Sequence, residues 1–471
     1  MKRIALLAIA AAAAPVAAAQ VRPEADIRQV LADRLKGFEQ RVSIAVGIIG
    51  PEGRRVVVHG SMGTADPRPA TGDTLYEIGS ITKVFTSLLL ADMVERGEVA
   101  LDDPVAKYLP AGITVPERGG KRITLVDLST HRSALPRMPS DFAPKQPTNP
   151  YPDYPIERLY EFLSGYQLPR EIGAEYEYSN LATGLLGHAL ARRAGMSYEQ
   201  LLRERVFRPL GMTSTAIALT PELRSRMSVP HTSVFRLAPT PDWTFTDAFA
   251  GAGAIRSTVN DMLAFLAAQM GYTRTPLSAA MARMLSVRRD ATPDFKVGLA
   301  IRVEQRGGTE IVWHGGATYG SRCFSGYDPK SRTGVVVLSN YNSGSGIDDI
   351  GRFVLDRNAQ IDTGSAVKPR DRAVGHVPPA LLNAYAGRYQ FATGEIWTVR
   401  RDGTRFFVTR PSGPDVEIFP EGDFEKGADD FFSKSADAMY TFDFSPASAS
   451  LAAQLTFKWA FVDARVARRI E

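Results

Sequence analysis

Ser80 and Lys83 stand three positions apart, in Ser80-Ile81-Thr82-Lys83, where a long apolar helical pattern begins. A serine hydroxyl attacks a carbonyl when a base takes its proton, and a desolvated lysine amine can be that base. On a helix the two side chains share a face. A serine at the helix start also lies beside unpaired N–H groups and the positive end of the dipole. The chemistry this points to is acyl transfer through a covalent serine. The same pattern recurs at Ser365-Ala366-Val367-Lys368, but that copy precedes Pro369 and no helical pattern follows it.

Two further clusters have the right residue types. Tyr178-Ser179-Asn180 precedes a helical stretch; Asn180 could simply cap that helix, and Tyr178 could be an ordinary half-buried aromatic. His314-Gly315-Gly316-Ala317 closes an apolar run, Ile311-Val312-Trp313. A glycine pair at a strand end reads either as a turn or as room for a substrate backbone to approach.

These clusters need elements to hold them. Apolar spacing predicts helices over Asp26–Phe38, Ile81–Glu98, Leu181–Ala194, Tyr198–Phe207 and Val259–Met270. Strands are predicted at Ser43–Ile49 and Arg54–His59, around a Gly50–Gly53 turn. Later ones are predicted at Val297–Glu304, Ile311–His314, Arg322–Tyr327 and Val335–Ser339. Strands at both ends of a helical middle predict one discontinuous α/β domain whose antiparallel sheet joins the two ends. Seven prolines between 136 and 155, interleaved with Tyr151 and Tyr154, exclude helix there. That stretch reads as a surface connector or as a semi-rigid rim over a pocket.

The three clusters, in this order and spacing, resemble the serine β-lactamase and penicillin-binding-protein superfamily, closest to its class C-like branch of β-lactamases, D-peptidases and esterases. There the pattern is S-x-x-K, then Y-x-N, then K-T-G or H-x-G. The Leu128–Pro136 segment, Pro209-Leu210-Gly211-Met212-Thr213 and Gly253-Ala254-Ile255-Arg256-Ser257-Thr258 are similar to further family motifs, and the likeness covers about residues 25 to 360. It implies a β-lactamase-like transpeptidase fold of α/β (α+β) class: an antiparallel sheet flanked by helices, with a helical subdomain.

The resemblance also implies roles. Ser80 would be acylated, and Lys83 and Tyr178 would share the proton traffic. Asn180 would hold Lys83 and the substrate amide. The backbone N–H groups of Ser80 and Ala317 would bind the oxyanion, beside Gly315 and Gly316. His314 would face the substrate carboxylate, only partly charged near neutral pH in place of the usual lysine. Arg132 and Ala134 replace a common Thr and Gly.

Composition bounds the rest. The 471 residues are 44% hydrophobic and 23% charged, which excludes disorder, collagen and coiled coil as the overall class. The net charge of +5 is dispersed, so no nucleic-acid partner is expected. Lys2-Arg3, an apolar stretch from Ile4 to Val16, and Ala17-Ala18-Ala19 read as a signal peptide over 1–19. The mature chain would start at Gln20, periplasmic or secreted. No membrane span is expected. The single Cys323, in an apolar setting, reads as a buried inert thiol. The six histidines lack zinc-ligand spacing, and His188 reads as a packed core histidine. No serine has glycine at both −2 and +2, and there is no P-loop, so neither metal nor cofactor is expected.

Domain boundaries follow from composition: 20–361 for the hydrolase-like domain, 362–379 for a Pro/Gly-containing linker, and 380–471 for short strands forming a small β-barrel. Within the last, Tyr385-Ala386-Gly387-Arg388-Tyr389 is similar to lipocalin-like C-terminal domains of some D-peptidases. It would gate substrates or act as a packing appendage. The expected function is hydrolysis of a small-molecule or peptide substrate: a β-lactam, a D-amino-acid peptide or an ester. The alternatives are a carboxylesterase and a non-catalytic binder of cell-wall fragments.

Overall fold

The computed structural model describes residues 22–232, 237–306, 308–342, 347–361, 374–392, 394–411, 415–421, 428–433, 438–444, 451–459 and 462–471. The expected signal peptide, most of the expected linker and the Ser365–Lys368 copy lie outside the described residues.

A nine-stranded antiparallel sheet carries the first domain. In chain order its strands are β1 (Ser43–Gly50), β2 (Gly53–Gly63), β3 (Asp66–Pro69), β4 (Arg289–Thr292), β5 (Phe295–Val297), β6 (Arg302–Arg306), β7 (Thr309–Ala317), β8 (Arg322–Asp328) and β9 (Thr333–Ser339). Their spatial order is β4-β5-β6-β7-β8-β9-β1-β2-β3. The two ends of the segment meet where β1 pairs with β9, Val46 opposite Val337. The sheet does join N- and C-terminal strands of one discontinuous domain.

Strand alternation sends side chains to two cores. Val312, Val336 and Leu338 face the large helical core. Ile311, Trp313, Val335 and Val337 face a smaller core, closed by the terminal helices α1 (Glu24–Leu35) and α5 (Asp348–Leu355). The helical side holds α2 (Thr82–Glu95), α3 (Asn180–Ala194) and α4 (Val259–Gln269). Helix α2 is buried at every position from Thr82 to Met93. A helix covered all round is a central element, which makes its N-terminal turn a rigid base.

Three expectations change. The run Val297–Glu304 is two strands rather than one, because the chain reverses at Gly298–Ile301 with Ala300 at φ +50°. The glycines after His314 are not a turn: β7 continues through them, pairing Gly315 with Phe324 and Gly316 with Cys323. Helix Tyr198–Phe207 is α only to Leu202 and passes into a π turn over Arg203–Phe207.

The C-terminal part is a closed barrel of eight antiparallel strands. They are β10 (Gly387–Phe391), β11 (Ile396–Asp402), β12 (Arg405–Thr409), β13 (Val416–Pro420), β14 (Ala428–Ser433), β15 (Ala438–Phe444), β16 (Ala452–Trp459) and β17 (Val462–Arg469). Its interior is filled: Tyr385 packs edge-on against Phe431 at 5.0 Å and Phe442 at 5.3 Å, and gives its hydroxyl proton to Asp429 at 2.6 Å.

Candidate active site

Ser80 sits in a single 3₁₀ turn, Gly79–Ile81, feeding directly into α2. Gly79 has φ +49°, and a Cβ there would lie 2.7–2.9 Å from the backbone of Ala317. Only glycine allows both the left-handed turn and this approach. The same economy holds opposite it, where a Cβ on Gly316 would lie 2.0 Å from the carbonyl oxygen of Ile78. The glycine at 316 therefore serves the contact between β7 and the serine turn, not the approach of a substrate.

At the second position of α2, Lys83 is fully buried, with Nζ 3.0 Å from Ser80 Oγ. Nζ also donates to the Ala252 carbonyl at 2.7 Å. The Ala250–Gly253 helical turn that supplies this carbonyl is tied to α2 twice more. Thr86 Oγ1 donates to Gly251 O at 2.7 Å, and Ile255 N–H donates to Thr82 Oγ1 at 3.2 Å. Burial lowers the Lys83 pKa from the usual lysine value, partly opposed by Tyr178.

Tyr178 precedes α3. Ser179 is the N-cap, its Oγ accepting from Ala182 N–H at 2.9 Å, which frees the Asn180 side chain for the pocket. Two basic side chains lie over the Tyr178 ring. Lys83 Nζ is 5.0 Å and Arg137 Cζ 5.2 Å from its centroid. Burial raises the phenol, but Lys83, the Ser80 hydroxyl and Arg137 outweigh it, and the pKa falls below the ordinary tyrosine value. Lys83 and Tyr178 thus titrate as one coupled pair.

A pocket of about 560 Å³ opens over this group. Ser80, Tyr178, Asn180, His314, Gly315, Gly316 and Ala317 all line it, and Lys83 reaches it through Ser80. Asn180 does not hold Lys83. Its Nδ2 lies 3.4 Å from Tyr151 Oη and 3.6 Å from Met138 Sδ, and the carbonyl of Ala252 takes the lysine instead. The proline-rich stretch is a rim: Pro147, Pro150 and Tyr151 line the pocket, and Tyr151 and Tyr154 are buried. Tyr151 stacks on Phe245 at 4.5 Å and 17°.

His314 is buried, and burial, with Arg302 and Lys83 nearby, pushes its pKa down to about 3. Its Nδ1 lies 2.6 Å from Gly315 O and donates to it, and burial disfavours a second proton on the ring. The expectation of a partly charged His314 is corrected by this burial.

A family model described as Beta-lactamase matches residues 27–359. The chain belongs to the Beta-lactamase family. It lies in the class C-like branch of the serine β-lactamase and penicillin-binding-protein superfamily. A second model, Domain of unknown function (DUF3471), matches residues 371–468. The Escherichia coli (strain K12) protein named D-alanyl-D-alanine-carboxypeptidase/endopeptidase AmpH is 38% identical over 194 residues, 41% of this chain and 48% of that one. The chain thus spans about half the length of that curated relative. A class C β-lactamase from Rhodobacter sphaeroides is 26% identical with TM-score 0.58, covering 67% of this chain and 94% of that one. An octameric penicillin-binding protein homologue from Pyrococcus abyssi shares the fold over 94% of this chain and 99% of its own, with TM-score 0.61 and 21% identity. Among the described residues no helix is long and apolar enough to cross a membrane.

Within this Beta-lactamase family site, two side chains that sequence reasoning missed hold the parts in place. His131, inside the Leu128–Pro136 motif, accepts the N–H of Ser179 on Nδ1 at 3.2 Å, and its carbonyl accepts from Glu177 N–H at 2.9 Å. It brackets Tyr178 on both sides. Glu77, three residues before Ser80, accepts from Trp243 N–H and from Thr318 Oγ1, each at 2.6 Å. Burial raises its pKa to about 7, with Arg256 and Thr318 opposing. The only sequence signals were a histidine inside a motif and a lone acid in an apolar run.

The family departures also find an account. Arg132 donates to Gly173 O at 2.6 Å and to Asp290 O, joining the Tyr178 loop to β4. Ala134 has φ +61°, a left-handed conformation that explains the family's glycine. Cys323 is buried, gives its thiol proton to Glu77 O at 3.1 Å, and is inert by burial. His188 is half-buried, with Nε2 2.6 Å from Tyr160 Oη.

Proposed function

We propose that this chain is an exported serine hydrolase that forms an acyl-serine at Ser80 and cleaves an amide or lactam bond, in a β-lactam or a D-amino-acid peptide. The reading rests on one observation: a serine hydroxyl at a helix start, 3.0 Å from a fully buried lysine amine. Burial disfavours the ammonium, so the pair offers a base at neutral pH. Ser80 Oγ attacks the carbonyl carbon, and its proton passes to the Lys83–Tyr178 pair. The oxyanion is held by the N–H groups of Ser80 and Ala317. The C–N bond then breaks, the leaving nitrogen takes a proton by way of Tyr178, and water later hydrolyses the acyl ester.

The same reading takes residues 20–361 as the hydrolase domain, joined through 362–379 to the β-domain at 380–471. A second reading is favoured by the neutral His314: an esterase that has no need of a fixed cation at the third motif.

Time-resolved intact mass with a penicillin, with Ser80→Ala alongside, tests the proposal. A lasting adduct absent from the variant identifies a penicillin-binding peptidase, and a transient one with accumulating product a β-lactamase. Hydrolysis of short acyl esters without any adduct moves the assignment to esterase. Unchanged hydrolysis in Ser80→Ala overturns the acyl-serine, and neither adduct nor hydrolysis leaves a binding protein.

A further inference from the structure

The oxyanion hole of the acyl-serine reading takes one N–H from each of two elements, Ser80 in the 3₁₀ turn and Ala317 at the end of β7. Both donors must be placed well, because each has to lie about 2.7–3.1 Å from the developing oxyanion. Gly79 against Ala317 and Gly316 against Ile78 bring the two backbones close. Closeness alone does not fix their register. Among the described residues, no hydrogen bond runs directly from residues 78–81 to residues 314–317.

The flanking residues make the connection instead. Glu77 lies three positions before Ser80, and Thr318 one position after Ala317. Thr318 Oγ1 donates to Glu77 Oε2 at 2.6 Å. The threonine is itself held by its own turn. Its N–H donates to Ser321 O at 3.0 Å, its Oγ1 accepts from Ser321 N–H at 3.1 Å, and its carbonyl accepts from Asn342 Nδ2 at 3.0 Å. The Glu77 carbonyl also accepts the thiol of Cys323 on β8 at 3.1 Å, so the residue is tied twice to the β7–β8 hairpin.

The second carboxylate oxygen, Oε1, accepts the Trp243 N–H at 2.6 Å. Glu77 is 3% exposed, and burying a carboxylate is unfavourable unless donors satisfy it. Arg256 lies opposite it across a two-residue strand pair, 4.0 Å away. Arg256 in turn donates to Trp243 O at 2.5 Å and to Ile217 O at 2.7 Å. The Trp243 peptide is thus held at its N–H by Glu77 and at its C=O by Arg256. Trp243 and Thr318 both present donors, and a carboxylate offers a separate acceptor atom to each.

We infer that Glu77 is a positioning residue for the oxyanion hole: through Thr318, its carboxylate sets the Ala317 N–H in register with the Ser80 N–H. The inference rests on the acyl-serine reading. Glu77 does not line the pocket, so it acts on the hole without touching substrate.

The test compares 4-nitrophenyl phenylacetate with its thiono analogue, in which sulfur replaces the carbonyl oxygen. Sulfur is a weak hydrogen-bond acceptor, so the thiono ester draws little on the two N–H groups. The kcat/KM ratio, oxygen over sulfur, therefore reads the oxyanion hole, and losses of folded protein cancel in it. Thr318→Val should lower the ratio by roughly tenfold, less than the 10²–10³ of a donor removed outright. Thr318→Ser keeps the hydroxyl and should hold the wild-type ratio. Glu77→Met removes both acceptors and should lower the ratio as Thr318→Val does. The double variant should fall no further, since both changes cut one bond. A ratio unmoved by Thr318→Val, lowered equally by Thr318→Ser, or lowered multiplicatively in the double variant overturns the bridge while the acyl-serine stands. Should Glu77→Met not fold, the two Thr318 variants still decide, because Glu77 is the acceptor of that hydroxyl. No acylation of wild-type Ser80 by either ester, read by intact mass, overturns the acyl-serine reading and the bridge with it.

Discussion

The Nδ1 atom of His131 accepts the backbone N–H of Ser179 at 3.2 Å. That bond fixes the peptide between Tyr178 and Ser179, and the imidazole packs against the Tyr178 ring at 4.6 Å. It requires a neutral ring, since a proton on Nδ1 would remove the acceptor. Burial, then the nearby Lys83 and His314, keep the pKa well below the usual histidine value. His131→Phe keeps an aromatic ring and loses the acceptor. We expect kcat to fall by roughly 10²-fold, the scale of a misplaced catalytic group, with a much smaller change in KM. Steady-state kinetics on a fully active-site-titrated sample decides it. A variant with unaltered kcat would reduce His131 to a packing role.

Arg137 should set the pH at which the enzyme switches on. Its charge lowers the pKa of both Lys83 and Tyr178. The coupled pair must lose a proton before it can act as base, so kcat/KM falls as pH drops through its pKa. Removing the charge in Arg137→Met raises both members, and the acid limb should move to higher pH by about half a unit. Arg137 is exposed, so salt should screen the effect. Profiles at low and high ionic strength make the check: the wild-type limb should drift toward that of the variant as salt is added. Coincident limbs at low salt would show that Arg137 does not tune the pair.

Much of this site could be read from the chain because it depends on short-range geometry. Ser80 and Lys83 share a helix face by spacing alone, and Tyr178-Ser179-Asn180 sits at a helix start whose apolar period is plain. What stayed hidden depends on distant partners. Glu77 gains its role from Trp243 and Thr318, more than 160 residues away. The lowered pKa of His314 comes from burial, which no local pattern reports. The break at Gly298–Ile301 was missed because apolar residues on both sides of the turn read as one continuous run. Family likeness pairs Asn180 with Lys83, whereas a backbone carbonyl such as that of Ala252 is invisible to any reading of side-chain types.

His314 should also leave a mark on stability. Its folded pKa, about 3, lies below the unfolded value of about 6.5. A depressed pKa means that the contribution is present above pH 6.5 and is lost as pH falls toward the folded value. Between pH 6 and pH 4.5 the unfolded chain binds a proton here that the folded chain does not. The wild type should therefore lose about 1.4 kcal/mol per pH unit relative to His314→Gln across that window. Taking the difference between the two proteins cancels the other titrating groups, including Glu77, whose raised pKa acts in the opposite direction. Urea unfolding of both proteins at several pH values measures it, and parallel stability curves would refute a neutral buried His314.

An aromatic wall of the pocket bears on the acyl half of the substrate. Tyr151 and Phe245 stack at 4.5 Å, Trp243 meets Phe245 edge-on at 5.9 Å, and all three line the pocket near Asn180. Trp243 is fixed through its backbone N–H to Glu77 and its indole Nε1 to Thr148 O at 2.8 Å. Such a preordered face favours a flat apolar acyl group, because the protein loses little freedom on binding it. Phe245 is the half-buried member of the stack and the one whose removal leaves Tyr151 held by Phe142 and Phe249. Phe245→Ala should lower kcat/KM for a phenylacetyl ester by about tenfold, the scale of one lost aromatic contact. An acetyl ester too small to reach the wall should change far less. Equal losses on both esters would mean that Phe245 supports the pocket structurally and does not select the acyl group. A loss confined to the phenylacetyl ester would place the acyl half against the Tyr151–Phe245 face, near Asn180.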